Sequence, residues 1–319
     1  MISMDSLVPV DFEARIAAAA AAAVRRVEVM EGGHSGVTHL VELEDRDVVV
    51  KSTPSGRRPV GRHDVLRQAR VMDALAGRVP VPRILFTDDG PPAFFGMERV
   101  AGEAVDPVIA PPRDWDAAVV AGAWEAAIEL LATLHDAPVP GDEPRAPASE
   151  VEIWSATIDA AGMEDDPAAV GLRDGLAARA PAAGAVGIVH GDFRLGNVLY
   201  EGATPRALID WEIWSVGDPL VDLGWFVQFT DPENFPGIGR AVAGTPGEDE
   251  VVARYLERAG RLSDAVPWFL ALGCFKLAAI QAHNRSRHLA GRYHDPYQEL
   301  LGPSIERLLE RGLEHLARG

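Results

Sequence analysis

β-Rich runs dominate the first hundred residues of the chain, and helical periodicity dominates the rest. Arg26 to Met30, Thr38 to Glu42 and Asp47 to Lys51 are predicted as strands. Val79 to Ile84 leads into a fourth, and Pro92 to Val100 reads as a fifth. Two helices interrupt them. Asp11 to Arg26 is capped near its start, and its alanines supply propensity more than pattern. In His63 to Leu75, the residues Val65, Leu66, Ala69, Met72 and Leu75 recur at helical spacing. Further on, helices are predicted over Trp115 to Leu134, Leu220 to Thr230, Glu248 to Arg261, Val266 to Leu289 and Ser304 to Ala317, with helical matter over Glu150 to Ala180. Thr230 to Gly247 is a loop rich in Gly and Pro. The pattern is that of an α+β protein, β-rich with one main helix over residues 1–100 and mostly helical over 113–319.

Three short apolar runs, Val186 to Val189, Val198 to Tyr200 and Ala207 to Ile209, frame the most informative residues. Between the first two lies His190-Gly-Asp-Phe-Arg-Leu-Gly-Asn197, and after the third comes Asp210-Trp-Glu212. Any one of these polar residues alone is ordinary turn chemistry. Together they follow the order His-x-Asp-x-x-x-x-Asn and then Asp, which is the order of the catalytic and metal-binding loops of kinases. A carboxylate must orient and deprotonate the acceptor hydroxyl, and oxygen ligands must hold magnesium against the phosphates. Asp192 fits the first role; Asn197 and Asp210 fit the second.

The two runs His190 to Asn197 and Asp210 to Trp225 resemble the aminoglycoside phosphotransferase-like family, and within it the branch of kinase domains joined to acyl-CoA dehydrogenases. The resemblance implies a bilobal, protein-kinase-like fold that uses ATP and magnesium, with a small antiparallel-sheet, nucleotide-binding lobe over residues 1–100, a hinge and linker over 101–112, and a larger, mostly helical catalytic and substrate-binding lobe over 113–319. It also gives roles to residues elsewhere in the chain. Lys51 ends the third strand, after a glycine-bearing turn and before a helix, which is the place of the lysine that holds the α- and β-phosphates. The turn Glu31-Gly-Gly-His-Ser-Gly-Val37 would cover the phosphates with backbone N–H groups, Gly33 and Ser35 among them. The family more often carries Asn at the Gly36 position. Its glutamate partner for the lysine falls on Gln68, whose amide supplies no charge; Asp64 and Asp73 on the same helix point elsewhere. Backbone groups near Glu98 and Val100 would meet the adenine edge. His190 orients the loop, Asp218 and Asp222 either satisfy N–H groups at a helix start or anchor the catalytic loop, and Glu212 faces either the metal or solvent.

Composition narrows the partners. The net charge of −18 argues against nucleic acid. The segment from Val251 to Gly319 nevertheless holds ten Lys and Arg against seven Asp and Glu, so it is locally basic. His283, Arg285, Arg287, His288, Arg292 and His294 cluster there, and Arg285, Arg287 and Arg292 are candidates for clamping an anionic acceptor. That favours a hydroxy acid or hydroxyacyl thioester over a polycationic aminoglycoside. Two alternatives stand beside this reading: an aminoglycoside O-phosphotransferase, and a catalytically weak nucleotide-binding module. The single cysteine, Cys274, excludes an internal disulfide and reads as a buried thiol. No apolar run is expected to reach the ~20 residues that span a bilayer, and acidic residues precede the N-terminal alanines where a secretory signal would be basic. A cytoplasmic protein without membrane contact is the expectation.

Overall fold

The structure, a computed structural model, describes residues 11–30, 36–54, 56–139, 141–292 and 294–318. The chain divides into two compact units, one formed by residues 1–102 and 206–213, the other by 103–205 and 214–319. The segment 206–213 thus groups with the first unit, although its neighbours on both sides belong to the second.

In the first unit, α1 (Phe12–Ala20) is followed by β1 (Val24–Met30), β2 (Val37–Leu43) and β3 (Asp47–Ser52), then α2 (Val65–Leu75), β4 (Ile84–Asp88) and β5 (Phe94–Glu98). The strands form one antiparallel sheet in the order β1-β2-β3-β5-β4. Alternation along β3 sends Val48 and Val50 into a core with Phe12, Ile16, Val41, Leu43 and Phe94, so Lys51 emerges on the opposite face of the sheet. The first helix is shorter than its alanines suggest. It stops at Ala20, where Ala21 turns left-handed with φ of 51°, because Val24 onward pairs with β2 and that pairing outweighs alanine's propensity.

The second unit contains β6 (Glu103–Ala104), α3 (Ala117–His135), α4 (Pro147–Asp159), α5 (Pro167–Ala178), β7 (Gly187–Val189) and β8 (Val198–Glu201). Next, β9 (Thr204–Leu208) leads the chain out to the first unit, and β10 (Ser215–Gly217), α6 (Leu220–Phe226), α7 (Glu248–Ala259), α8 (Val266–Leu289) and α9 (Gly302–Arg318) complete the second. β7 pairs antiparallel with β10, and β6 with β8. The predicted helix from Leu220 continues past α6 only as a tighter 3₁₀ turn, Val227–Thr230.

Among the described residues, two helices of the predicted length are more apolar than expected. By length and composition α3 and α8 could each cross a membrane. In this fold α8 is instead a core helix, with most of its apolar window buried. It crosses α6 at two glycines: a Cβ on Gly224 would overlap the Phe269 carbonyl, and one on Gly273 would overlap the Gly224 carbonyl. Absent side chains let the two backbones touch. That close crossing brings the residues that follow them, Trp225 on α6 and Lys276 on α8, to one place.

Candidate active site

The loop between β7 and β8 is fixed from beneath. Asp222, fully buried on α6, accepts from two consecutive backbone N–H groups, His190 at 2.6 Å and Gly191 at 2.8 Å. Burial works to raise its pKa, but the hydrogen bond from His135 and the nearby His135, His190 and Lys276 outweigh it, and the carboxyl stays below its ordinary range. His135 at the end of α3 links Asp222 (3.3 Å from Nε2) to the Tyr255 hydroxyl (2.7 Å from Nδ1). These partners assign the tautomer: Nε2–H donates to the carboxylate and Nδ1 accepts from tyrosine. Asp218 has a different task, accepting the Leu220 N–H at 3.0 Å at the start of α6. Of the two readings of this pair, Asp218 follows the helix-start one and Asp222 the loop anchor. The His190 ring is buried too, and its Nδ1 accepts the Asp192 N–H at 3.2 Å, an orienting role.

Above this base, a 3₁₀ turn, Leu195–Asn197, folds Asn197 back over Asp192. The Asn197 amide donates to the Asp192 backbone carbonyl and to its Oδ2, each at 2.8 Å. With the amide's donor end engaged, its carbonyl oxygen is the end left to ligate a cation. The other carboxylate oxygen, Asp192 Oδ1, is buried and accepts no hydrogen bond among the described residues, with the Arg194 Nε at 3.5 Å. Arg194 also pairs with buried Asp106, which accepts the Gly196 N–H at 3.2 Å; burial nonetheless raises the Asp106 pKa.

In the first unit, Lys51 is buried, and its ammonium lies 2.9 Å from Asp210 Oδ1. Segment 206–213 is tied to that unit by the Leu208 N–H on the Pro80 carbonyl (2.7 Å), and the Trp211 indole bonds the Leu208 carbonyl at 3.0 Å. Asp210 is left-handed, with φ of 65°, a conformation Asp tolerates better than most residues and one that collects at functional sites. Gly36 lies close by: a Cβ there would stand 3.2 Å from Lys51 Cε, so glycine gives the lysine room that asparagine would take.

Gln68 does not act as the lysine's partner. It is buried on α2, and its Nε2 donates to the Arg62 carbonyl at 3.4 Å, while Asp210 takes the ammonium. Asp64 caps the same helix by accepting the Arg67 N–H at 3.0 Å. The Glu98 N–H donates to the Arg83 carbonyl at 2.9 Å, so that group is already engaged within the sheet. Gly33 and Ser35 lie outside the described residues. The three arginines do not form one clamp. Arg285 and Arg287 are two positions apart on α8, which places them on nearly opposite sides of the helix. Arg285 sits beside Gly302, and exposed Arg292 lies past the helix end, its N–H on the Arg287 carbonyl at 2.9 Å. His288 is 3.2 Å from Glu299. Cys274 is buried, and burial raises its thiol pKa, which makes it a poor nucleophile.

Among the described residues no group of three or more His, Cys, Asp or Glu is placed to hold a metal. Magnesium does not need one, since it is commonly bound through one or two protein oxygens plus substrate phosphates. The Asp210 carboxylate and the Asn197 amide are hard oxygen donors of that kind.

The sequence profile of the phosphotransferase enzyme family matches residues 26–269, which is most of the chain. The chain belongs to this family. The family's name gives its reaction class, and by that membership the chain is a phosphotransferase. The human acyl-CoA dehydrogenase family member 11 is 29% identical over 307 residues, covering 88% of this chain and 39% of that relative. The chain therefore spans about two fifths of that relative's length. A protein from Ralstonia eutropha JMP134 assigned as an aminoglycoside phosphotransferase superposes with a TM-score of 0.77 and 24% identity, covering 93% of each chain. A thermostable mutant of aminoglycoside phosphotransferase APH(4)-Ia, solved with ADP and hygromycin B, superposes with a TM-score of 0.60 at 14% identity, covering 97% of this chain and 99% of the other. The fold of this phosphotransferase is protein-kinase-like, α+β.

His135, Tyr255 and Lys276 were not singled out by the sequence reading. A lysine inside the apolar run from Trp268 to Ala282 was the signal available for the last. The buried histidines also make stability depend on pH. Burial lowers the pKa of His135, as it does for His39 and His315. A histidine whose folded pKa lies below the ordinary 6.5 contributes fully above that pH, and its contribution falls as pH drops, because the unfolded chain binds the proton first. Urea unfolding of the parent is expected to weaken below pH 6.5. His135→Gln should lose one proton's share of that slope, about 1.4 kcal/mol per pH unit at most, while starting from a lower stability.

Proposed function

We propose that this phosphotransferase is an ATP- and magnesium-dependent kinase for a small hydroxylated molecule, with a hydroxy acid or hydroxyacyl thioester as acceptor. The observation that carries the reading is the asymmetry of the Asp192 carboxylate: Oδ2 is held by Asn197, and Oδ1, beside the Arg194 guanidinium, accepts no hydrogen bond among the described residues. An oxygen so placed suits accepting the proton of an attacking hydroxyl while the other fixes the group's orientation. Lys51 would neutralise nucleotide phosphate charge, and its pairing with Asp210 holds both side chains in place before nucleotide arrives. Magnesium, when bound, would supply charge neutralisation at the phosphates; Asn197 and Asp210 are the residues proposed to hold it. ATP is the proposed donor because the fold neighbour APH(4)-Ia was solved with ADP. The thioester reading draws on the relatives named for acyl-CoA dehydrogenation, since the basic residues of α8 and its loop give it no preformed clamp. The aminoglycoside reading is supported by the names of the fold neighbours.

A kinetic screen with Mg-ATP across hydroxyacyl thioesters, hydroxy acids, sugars and aminoglycosides separates these readings. Turnover is expected with the first two classes; turnover confined to aminoglycosides would reverse the choice of acceptor. A companion expectation concerns Asp210. Asp210→Asn keeps the left-handed backbone accessible but replaces a charged oxygen by an amide, so magnesium-dependent ATP binding should weaken. Calorimetric titration with and without magnesium measures it, and unchanged affinity and metal dependence would remove Asp210 from the site.

A further inference from the structure

Lys276 is 2% exposed, in the middle of α8. Its ammonium donates to the Gly191 carbonyl, and two indole rings enclose it, Trp225 on α6 at 4.6 Å and Trp154 on α4 at 5.0 Å. A buried ammonium is costly unless its surroundings hold it in the charged form. Here a carbonyl, two aromatic faces and the charges of Glu150, Asp222 and Asp192 do so against burial and Arg145, although burial prevails and its pKa is lowered. Such an arrangement is a poor way to gain stability, because a well-packed apolar side chain of similar volume commonly serves as well or better. Its geometry points to the loop instead.

Gly191 has φ of 88°, a conformation that glycine adopts without strain. Its two flanking peptide units are gripped from below by opposite charges. Asp222 takes the N–H of His190 and of Gly191 itself, and Lys276 takes the Gly191 carbonyl. The next residue is Asp192. With both peptide units fixed, the direction in which the Asp192 side chain leaves the backbone is fixed as well. The glycine contact between α6 and α8 sets the spacing of the two gripping residues.

We propose that Lys276 is a positioning residue: together with Asp222 it clamps the peptide units around Gly191 and so sets where the Asp192 carboxylate lies. The proposal rests on the kinase reading for the role of Asp192, but the clamp itself is testable without turnover. Lys276→Met keeps the length and apolar body of the side chain and removes the charged donor; Lys276→Arg keeps a donor that can stack between two indoles. In Lys276→Met the backbone carbonyl resonance of Gly191 and the amide resonance of Asp192 are expected to move, and in Lys276→Arg to stay near those of the parent. Mg-ATP affinity, by calorimetry, should remain within about twofold of the parent in both. Turnover, read as ADP formation from Mg-ATP with water or with an acceptor from the screen, should fall about tenfold to hundredfold in the Met variant, the scale of a small misplacement of a reacting group. The Arg variant should recover most of it. If Lys276→Met loses its cooperative thermal transition, Trp154→Phe thins one wall of the seat and should move the same resonances less far in the same direction.

Unmoved Gly191 and Asp192 resonances would overturn the clamp. So would a turnover loss matched by an equal loss of nucleotide affinity, or one that arginine does not relieve. A parent that forms no ADP with any acceptor would instead defeat the kinase reading, and the resonances would still decide whether Lys276 holds the loop.

Discussion

Asp222→Ala is expected to destabilise the protein by about 3–5 kcal/mol, the usual cost of removing one member of a buried charged network. The fully buried carboxylate satisfies the His190 and Gly191 N–H groups and the His135 ring, and all three would lose their acceptor in an apolar setting. Lys276 would also lose a nearby opposite charge. Urea unfolding at neutral pH gives the magnitude. The sign with pH is fixed too. The folded pKa of Asp222 lies below the ordinary aspartate value of 3.8, so its contribution is present above that pH and fades as acid approaches the folded value. The gap between parent and variant should therefore narrow in acid. A variant as stable as the parent would mean that the loop does not depend on this anchor.

Asp192→Ala is expected to lower turnover by about 10² to 10⁴, the usual worth of general-base catalysis, while ATP affinity stays nearly intact. Asn197 would lose one of its two acceptors but keep the Asp192 backbone carbonyl, which holds the turn together. Nucleotide titration beside steady-state turnover distinguishes the outcomes. A loss confined to ATP affinity would contradict the assignment of Asp192 to the acceptor's proton.

Much of this site was legible because its chemistry sits in one run. His190, Asp192 and Asn197 lie within eight residues, and a local 3₁₀ turn suffices to bring the amide onto the carboxylate. Lys51 and Asp210 were readable for another reason: each lies near the end of an apolar β run, although they are far apart in sequence and only the fold joins them. Of the anchors, Asp222 could be named from the chain, but its partners could not. His135, Tyr255 and Lys276 come from α3, α7 and α8, and nothing local announces that three helices meet beneath one loop.

The misreadings have physical causes as well. The family resemblance puts Gln68 opposite Lys51, but Asp210 satisfies the ammonium and the Gln68 amide bonds the Arg62 carbonyl. The arginines of α8 looked like a cluster because they are near in sequence, whereas helical geometry separates positions two apart. The expectation of no bilayer-length apolar run missed α3 and α8 because isolated polar residues within them, such as Lys276, break the apolar runs without making the helices polar.

The most direct test of phosphoryl transfer at this site follows the γ-phosphate itself. Phosphorus NMR of Mg-ATP with the parent protein and a mixture of hydroxyacyl thioesters, hydroxy acids, sugars and aminoglycosides should show the γ-phosphate resonance replaced by that of a phosphomonoester, at a rate that drops with Asp192→Ala. Mg-ATP that binds the parent yet yields no phosphomonoester with any of these acceptors, or a phosphomonoester formed equally fast without Asp192, would contradict it.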